Sequence, residues 1–468
     1  MTMYTELFKL CGFEPEEIKK QRPRIERAFH KAGIVREDVK RAESRVRHSF
    51  DTTSPGVRKG LGIWMEQLLD LVLAREEGKK IVYPDYPTIP MMTLALNLAS
   101  EDVYCQTPEI VLDFVMGQIF GKLNPILEAA ETHGMPPASA MCALKQARLG
   151  GIVQGIVPVP DLLLGTGFYC DLTPKIDELL HEIYGVPMVI MDGCMDSSWD
   201  EFPEITPRRV NSLAGEIRRA IDESEKVLGI RITDEVLNRS LGQFVDLWTA
   251  LFGLWDYLKR DPMPMSLVDL APVWWFSTTT ERRGITEGFG VIAALTEEIK
   301  KKVDEGAGAV EKGAPRVLIM CHQATDPGIM RMIEEAGLAI PTTALMGITD
   351  AQATSYIETK YTTWEHRVAN MLLSHGLYHS TSGLIHRYRE LCKTWQLDGA
   401  LNLYQFSCRA FCISPPLVKK SLEEDPGIPV LSLEGDMWDS RTYSAEALRT
   451  RVEAFAEMLR AAKAAKAA

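Results

Sequence analysis

Two kinds of hydrophobic pattern alternate along this chain. The first is solid. The runs KKIVYP (79–84), PDLLLGTGFYC (160–170), VPMVIMDGC (186–194), PRVLIMC (315–321), LAIPTTALMG (338–347), GALNLYQFSC (399–408) and GIPVLSLEGD (427–436) are apolar at most positions. Each is short and runs into loop residues, as expected of strands covered on both faces. The second pattern is amphipathic. TPKIDELLHEIYG (173–185), DPGIMRMIEEAG (326–337), PPLVKKSLEED (415–425) and SAEALRTRVEAFAEMLRAAKAA (444–465) repeat apolar residues at helical spacing. Strand, helix, strand in alternation predicts parallel sheets flanked by helices.

Helical periodicity dominates elsewhere. EEIKKQRPRIERAFHKAG (16–33) and GLGIWMEQLLDLVLAREEG (60–78) each end at Gly. Between the two strand-rich regions lie charged helical segments such as TPRRVNSLAGEIRRAIDESEKVLG (206–229) and TEEIKKKVDEGAGAVEKG (296–313). TPEIVLDFVMGQIFGKLNPILEAAETHG (107–134) reads as one or two helices. The expected fold is α/β: two doubly wound parallel-sheet (Rossmann-like) domains, with an N-terminal helical segment and a helical insertion between them. The boundaries fall at 1–78 for the N-terminal helices, 79–205 for the first α/β domain, 206–312 for the helical connector and 313–468 for the second α/β domain.

A chain of 468 residues is too long for one core, which agrees with this division. The net charge of −12 argues against nucleic acid as a partner. No run of 18 apolar residues occurs, and the N-terminal apolar stretch is short and soon charged. A cytoplasmic location without a membrane anchor is expected.

Nine cysteines change the picture. A cytoplasmic chain rarely uses them as disulfides, and no CxxC pair suggests a zinc ribbon or a thioredoxin-type motif. Cys170, Cys194, Cys321 and Cys408 each fall at or just past the carboxyl end of an expected strand, the edge where open α/β sheets bind ligands. Cys142 stands at a probable helix start, where the helix dipole favours a thiolate. Cys105 precedes another helix start, and Cys412 follows Cys408 by about one helical turn. Cys11 and Cys392 lie within helical patterns and read as buried apolar residues. Widely spaced thiols at strand ends suit an iron–sulfur cluster, although a single cysteine is more often a small buried hydrophobe.

Here the chain resembles a known family. PDLLLGTGFYCDLTPKIDELL (160–180) resembles the strand, Cys-Asp and helix segment of the catalytic subunits of 2-hydroxyacyl-CoA dehydratases and benzoyl-CoA reductases. The stretch from Cys408 to Leu459 is still more similar, with a Cys after a strand, a Gly-Ile-Pro, an acidic turn and a final Arg-Thr-Arg-Val-Glu-Ala-Phe helix. TPEIVLDF (107–114) is similar to the family's early helix start. The resemblance implies a four-iron, four-sulfur cubane held between the domains by Cys142, Cys170 and Cys408. It also implies a separate cluster-containing ATPase as electron donor.

The cysteine pattern is most similar to double-cubane cluster proteins of the superfamily, which implies added roles for Cys105 and Cys321. Those relatives carry a further Cys after the segment equivalent to LAIPTTALMG, where this chain has none. Cys412 or Cys194 is left to supply a sixth thiolate. The expected cofactor is therefore a double-cubane 8Fe-9S cluster or one 4Fe-4S cubane. The expected function is an ATP-dependent, two-component low-potential reductase of small molecules or acyl-CoA thioesters. A 2-hydroxyacyl-CoA dehydratase subunit and a non-catalytic cluster carrier are the alternatives. A homodimer or a heterodimer with a paralogue is expected.

Other residues carry weaker chemical signals. His322 beside Cys321 is a candidate proton donor, with a loop histidine as the plainer reading. Asp171 suits a helix N-cap, and EGDMWDSR (434–441) suits a structural turn with an Asp–Arg pair. WWFSTTTERRG (274–284) reads either as a packed loop or as a channel or coenzyme-phosphate contact. GTGFYCD (165–171) lacks the lysine of a phosphate-binding loop, and the chain shows no nucleotide-binding motif of that type.

Overall fold

The computed structural model describes residues 2–467 apart from 137–140, 169, 194–197, 200, 203, 277–281, 321–325, 348–353, 355–359, 376–379, 406, 409–413 and 437. Cys194, Cys321, His322 and Cys412 lie outside the described residues. The chain forms two compact units. One comprises Met1–Gly193, Gly215–Leu251 and Ala271–Leu295; the other comprises Cys194–Ala214, Phe252–Leu270 and Thr296–Ala468. The helices between the two strand-rich regions are thus shared out between both units.

The first unit holds a four-stranded parallel sheet of β1 (Lys80–Pro84), β2 (Val103–Cys105), β3 (Leu162–Thr166) and β4 (Met188–Met191), in the order β2-β1-β3-β4. Its central strands are buried along almost their whole length, as the solid apolar pattern requires. The chain moves outward from β1 to β2, then crosses back to place β3 on the other side of β1. Loops after β1 and β3 therefore diverge, and their carboxyl ends flank a topological switch point.

The three-residue strand β2 and the helix Pro90–Ala99 were not evident from pattern. β2 is too short to show a period, and the helix is buried through most of its length, so it has no polar face to mark one. Asn97 of that helix holds β2 at the sheet edge. Its side-chain oxygen accepts from the Cys105 N–H at 3.0 Å, and its amide donates to the Cys105 carbonyl at 2.8 Å. The stretch expected to be one or two helices is a short α-turn (Pro108–Val111), a π-helical segment (Leu112–Ile119) and a helix (Asn124–Glu131).

The N-terminal segment is helical as expected. Its helix Pro55–Leu73 starts with Ser54 accepting from the Val57 N–H at 3.0 Å and is buried nearly throughout. Trp64 stacks on Phe114 with ring centres 4.5 Å apart and donates to the Pro272 carbonyl at 3.0 Å, so its one polar atom is satisfied. The helices Asn124–Glu131 and Ala143–Val153 approach so closely that a Cβ on Gly150 would lie 1.8 Å from the Ile126 carbonyl oxygen. Glycine there is a packing requirement.

The second unit repeats the topology. β5 (Arg316–Ile319), β6 (Ala339–Thr343), β7 (Gly399–Gln405) and β8 (Val430–Gly435) are parallel in the order β6-β5-β7-β8. The two doubly wound parallel sheets expected from the alternating pattern are present. Arg316 anchors the start of β5 by donating to the carbonyls of Leu258, Arg260 and Trp395 at 3.0–3.2 Å. Helix Pro327–Glu335 ends in a buried network. Ser266 lies 2.7 and 2.8 Å from the two Glu334 oxygens, and Arg331 reaches Glu334 at 3.2 Å and Asp269 at 2.8 Å. Burial raises Glu334 to about 7, with Arg331 pulling the other way.

Candidate functional site

In the first unit, the carboxyl edge of the sheet holds thiols above a buried set of charges. Cys170 follows β3 and stands just before helix Leu172–Tyr184. Its carbonyl accepts from the Thr173 hydroxyl at 2.7 Å, and the same hydroxyl lies 2.7 Å from the Thr166 carbonyl at the strand's end. Thr173 thus ties the thiol-bearing turn to β3. Cys142 is the N-cap of helix Ala143–Val153, so its sulfur lies at the positive end of the helix dipole. Asp171 occupies the N-cap position of its helix but makes no side-chain cap bond.

Beneath these helix starts lie Asp85, Glu109, Lys145, Arg148 and Asp177, all buried. Asp85 follows the last residue of β1, Glu109 is on the helical turn after β2, and Asp177 is on the helix after Cys170. Lys145 and Arg148 are one turn apart on the helix that begins after Cys142. Lys145 Nζ donates to Asp85 at 3.0 Å, to Glu109 at 3.2 Å and to the Tyr86 carbonyl at 2.6 Å, which uses all three ammonium protons. Arg148 contacts Asp85 at 2.8 Å and Asp177 at 3.1 Å through Nη1, and grips Glu109 with Nε and Nη2 at 3.0 and 3.1 Å. Its remaining Nη2 proton goes to the Pro84 carbonyl.

The charges here are paired. Burial opposes both cations, yet the carboxylates outweigh it and raise Lys145 and Arg148 above their ordinary values. Burial also opposes ionisation of Glu109, but the two cations hold it below the usual carboxylate range. Asp177 goes the other way. Burial and the neighbouring Asp85 carboxylate push it well above its usual value. The second oxygens of Asp85 and Asp177 have no hydrogen-bond partner among the described residues. A Cβ on Gly165 would come within 2.7 Å of Asp177 Oδ2, so the bare backbone of β3 makes room for this pair.

Cys170 feels the same charges. Burial raises its thiol pKa, while the Lys145 ammonium and the Leu172 N–H pull it down. Cys408 follows β7, the strand of the second unit equivalent to β3. It comes after Ser407, whose hydroxyl donates to Asp436 beyond the end of β8. The Asp–Arg pair expected in the acidic turn is present, with Arg441 bonding Asp439 at 2.8 Å.

Among the described cysteines, exposure divides the set. Cys142, Cys170 and Cys408 are partly exposed, and Cys11, Cys105 and Cys392 are buried. Burial pushes Cys11 and Cys392 up to about 12, as suits inert core thiols. Cys105 ends β2 at the carboxyl edge but is enclosed. Burial raises its pKa strongly, with the nearby Thr93 side chain pulling the other way. Among the described residues, no three His, Cys, Asp or Glu side chains close on one metal-sized point. Trp274 and Trp275 are buried, and Arg283 from the same motif pairs with Asp70 at 3.0 Å and Glu287 at 2.7 Å. No helix among the described residues is long and apolar enough to cross a membrane.

Doubly wound sheets with thiols past their carboxyl edges place the chain in a definite class. Residues 103–459 match the family model of 2-hydroxyglutaryl-CoA dehydratase, D-component, and the chain belongs to that family. Among curated proteins it is similar to the alpha subunit of (R)-2-hydroxyglutaryl-CoA dehydratase from Acidaminococcus fermentans, at 22% identity over 312 residues. That match covers 66% of this chain and 62% of the relative, so it spans less than two thirds of the relative's length. The alpha subunit of (R)-phenyllactyl-CoA dehydratase from Clostridium sporogenes is 20% identical over 66% of this chain and 72% of its own. The alpha subunit of (R)-2-hydroxyisocaproyl-CoA dehydratase from Clostridioides difficile is 21% identical over 71% and 80% respectively.

The five charged residues below the thiols do not stand out in the sequence. A signal is nevertheless present: Lys145 and Arg148 interrupt an otherwise apolar and glycine-bearing helix, ALKQARLGGIV, at a spacing that puts both on one face.

Proposed function

We propose that this chain is the cluster-bearing subunit of a 2-hydroxyacyl-CoA dehydratase, with Cys142, Cys170 and Cys408 as thiolate ligands of one 4Fe-4S cubane. The observation that carries this reading is the division of the described thiols. The three designated by the family resemblance are the three left partly exposed. The donor set fits the group: thiolates are the ligands an iron–sulfur cluster takes. Bound there, the cluster would supply one-electron chemistry to a thioester substrate.

The chain's own residues prepare for it. The helix start at Cys142 favours sulfur as the anion, and at Cys170, where burial opposes the anion, the Lys145 ammonium and the Leu172 N–H act against that opposition. The Lys145 ammonium adds a fixed positive charge near Cys170. The substrate class is a (R)-2-hydroxyacyl-CoA, which loses its hydroxyl and a C3 proton as water to give a 2-enoyl-CoA. The activities for which the relatives are named favour this dehydration over reduction of small unsaturated molecules. Because those relatives are alpha subunits, a paralogous second subunit is the expected partner. A separate cluster-containing ATPase would inject the electron, since the chain carries no P-loop lysine of its own.

The double-cubane alternative needs Cys105, and the enclosure of Cys105 against Thr93 weighs against it. The test is anoxic purification with iron and sulfide quantitation, followed by assay with the second subunit, the ATPase, ATP and a panel of 2-hydroxyacyl-CoA thioesters. About four irons per chain, and enoyl-CoA formation only with ATP, are expected. Iron-free protein, or turnover without ATPase and ATP, would reject the reading.

A further inference from the structure

We propose that Arg148 is a positioning residue for the thiol site: one buried guanidinium that sets the register among the segments carrying Cys142, Cys170 and Cys105. This rests on the reading of Cys142 and Cys170 as ligands. The argument is one of connectivity. Arg148 is on the helix that Cys142 caps. Its Nη1 reaches Asp177, on the helix that starts two residues after Cys170. Its Nε and Nη2 hold both oxygens of Glu109, four residues beyond Cys105. The other contacts, to Asp85 and the Pro84 carbonyl, fix it to the end of β1. β1 is the strand at the switch point, so every segment is referred to the centre of the sheet.

A guanidinium has five N–H donors in a rigid plane; four of them make hydrogen bonds here, and Nη1 also makes an ion pair with Asp85. Lysine offers three donors on a single atom, which cannot span the spread of partners that the planar fork reaches. Lys145, one turn earlier, bonds Asp85, Glu109 and the Tyr86 carbonyl, which leaves it no proton for the Asp177 helix. Within this network, Arg148 is the side chain that spans from the Cys142 helix to the Cys170 helix. Groups behind metal ligands matter because they fix ligand orientation, and their loss typically weakens metal binding roughly 10- to 100-fold.

The test uses the full chain, prepared without oxygen, as wild type, R148K and D177L. R148K keeps the charge and loses the planar fork. D177L keeps a similar volume and removes the acceptor that links Arg148 to the Cys170 helix. Three readouts are compared: iron retained under a chelator challenge, the EPR signature of the reduced protein, and hydrogen exchange of the metal-free chain. For R148K, iron loss roughly 10-fold faster or more is expected, with an altered EPR signature. Faster exchange at both helix starts, near residues 143–148 and 172–177, should accompany it. D177L should loosen the second start alone and change the EPR signature less.

An R148K protein with wild-type iron retention and spectrum overturns the proposal. If R148K does not fold, D177L decides: unchanged exchange at 172–177 together with an unchanged spectrum overturns it. If the wild type binds no iron, the proposed function fails on its own. Exchange in the metal-free R148K chain then decides whether one side chain registers both helix starts: joint loosening supports it, and loosening of one or neither overturns it.

Discussion

Glu334 offers a measurement of buried charge that is independent of any cofactor. Its carboxyl is enclosed at the end of helix Pro327–Glu335, beside Ser266 and Arg331. The perturbation is Glu334→Gln, which keeps one oxygen acceptor and the side-chain volume but cannot ionise. In the unfolded chain the carboxyl titrates at its ordinary value of 4.5, and in the folded chain burial lifts it to about 7. The folded state therefore holds its proton more tightly. Below the unfolded value both states are protonated, and the stabilisation is fully present. As pH rises, the unfolded chain ionises first, and the contribution is lost until the folded carboxyl also ionises.

A tenfold tighter hold on the proton in the folded chain is worth about 1.4 kcal/mol, so the wild type should lose about 3 kcal/mol relative to E334Q between about pH 4 and about pH 8. The assay is urea unfolding of both proteins across that range. Hydrogen exchange of helix Pro327–Glu335 assigns the effect to this unit. A stability difference that is flat with pH, or that grows in favour of wild type as pH rises, would refute the reasoning.

Three further outcomes follow from described residues. Replacing Cys142, Cys170 or Cys408 by Ala should lower iron content in anoxic protein, while replacing Cys11 or Cys392 should not; equal iron in all five variants would reject the ligand assignment. Cys105→Ala should leave iron unchanged and cost about 1–2 kcal/mol of stability through lost packing, read by urea unfolding; a drop in iron would restore Cys105 as a ligand. Gly150→Ala should destabilise the first unit by about 3 kcal/mol or more, because the added carbon meets the Ile126 carbonyl and neither helix backbone can yield cheaply. A melting temperature within a few degrees of wild type would contradict that close approach.

The alternating pattern revealed the architecture because parallel strands covered on both faces are solidly apolar, and β1, β3, β5 and β6 are of that kind, while the edge strands β4 and β8 are partly exposed yet still apolar at most positions. β2 and helix Pro90–Ala99 escaped it, the one for brevity and the other for lack of a polar face. The thiols at 142, 170 and 408 were legible because cysteines are rare and their positions at element ends can be read directly. Asp85, Glu109, Lys145, Arg148 and Asp177 were not. A charged residue on a helix is usually solvated, and nothing local says that five of them, spread over about ninety residues of chain, meet under one sheet edge. Only the crossover from β2 back to β3 brings them together. Cys105 was legible as a thiol before a helix start, but its place at the end of β2 and its enclosure depend on Thr93 and Asn97 of the helix that pattern does not mark.

The mutual pairing of the five buried charges has a consequence for how this family can vary. Exchange any one of the five for an uncharged residue, and its partners stay buried with an ion pair lost, at a cost of about 3–5 kcal/mol. No single step out of the arrangement is mild. Descent should therefore treat the five as one heritable character. Relatives should carry all of Asp85, Glu109, Lys145, Arg148 and Asp177, or have replaced them together with apolar side chains of similar volume.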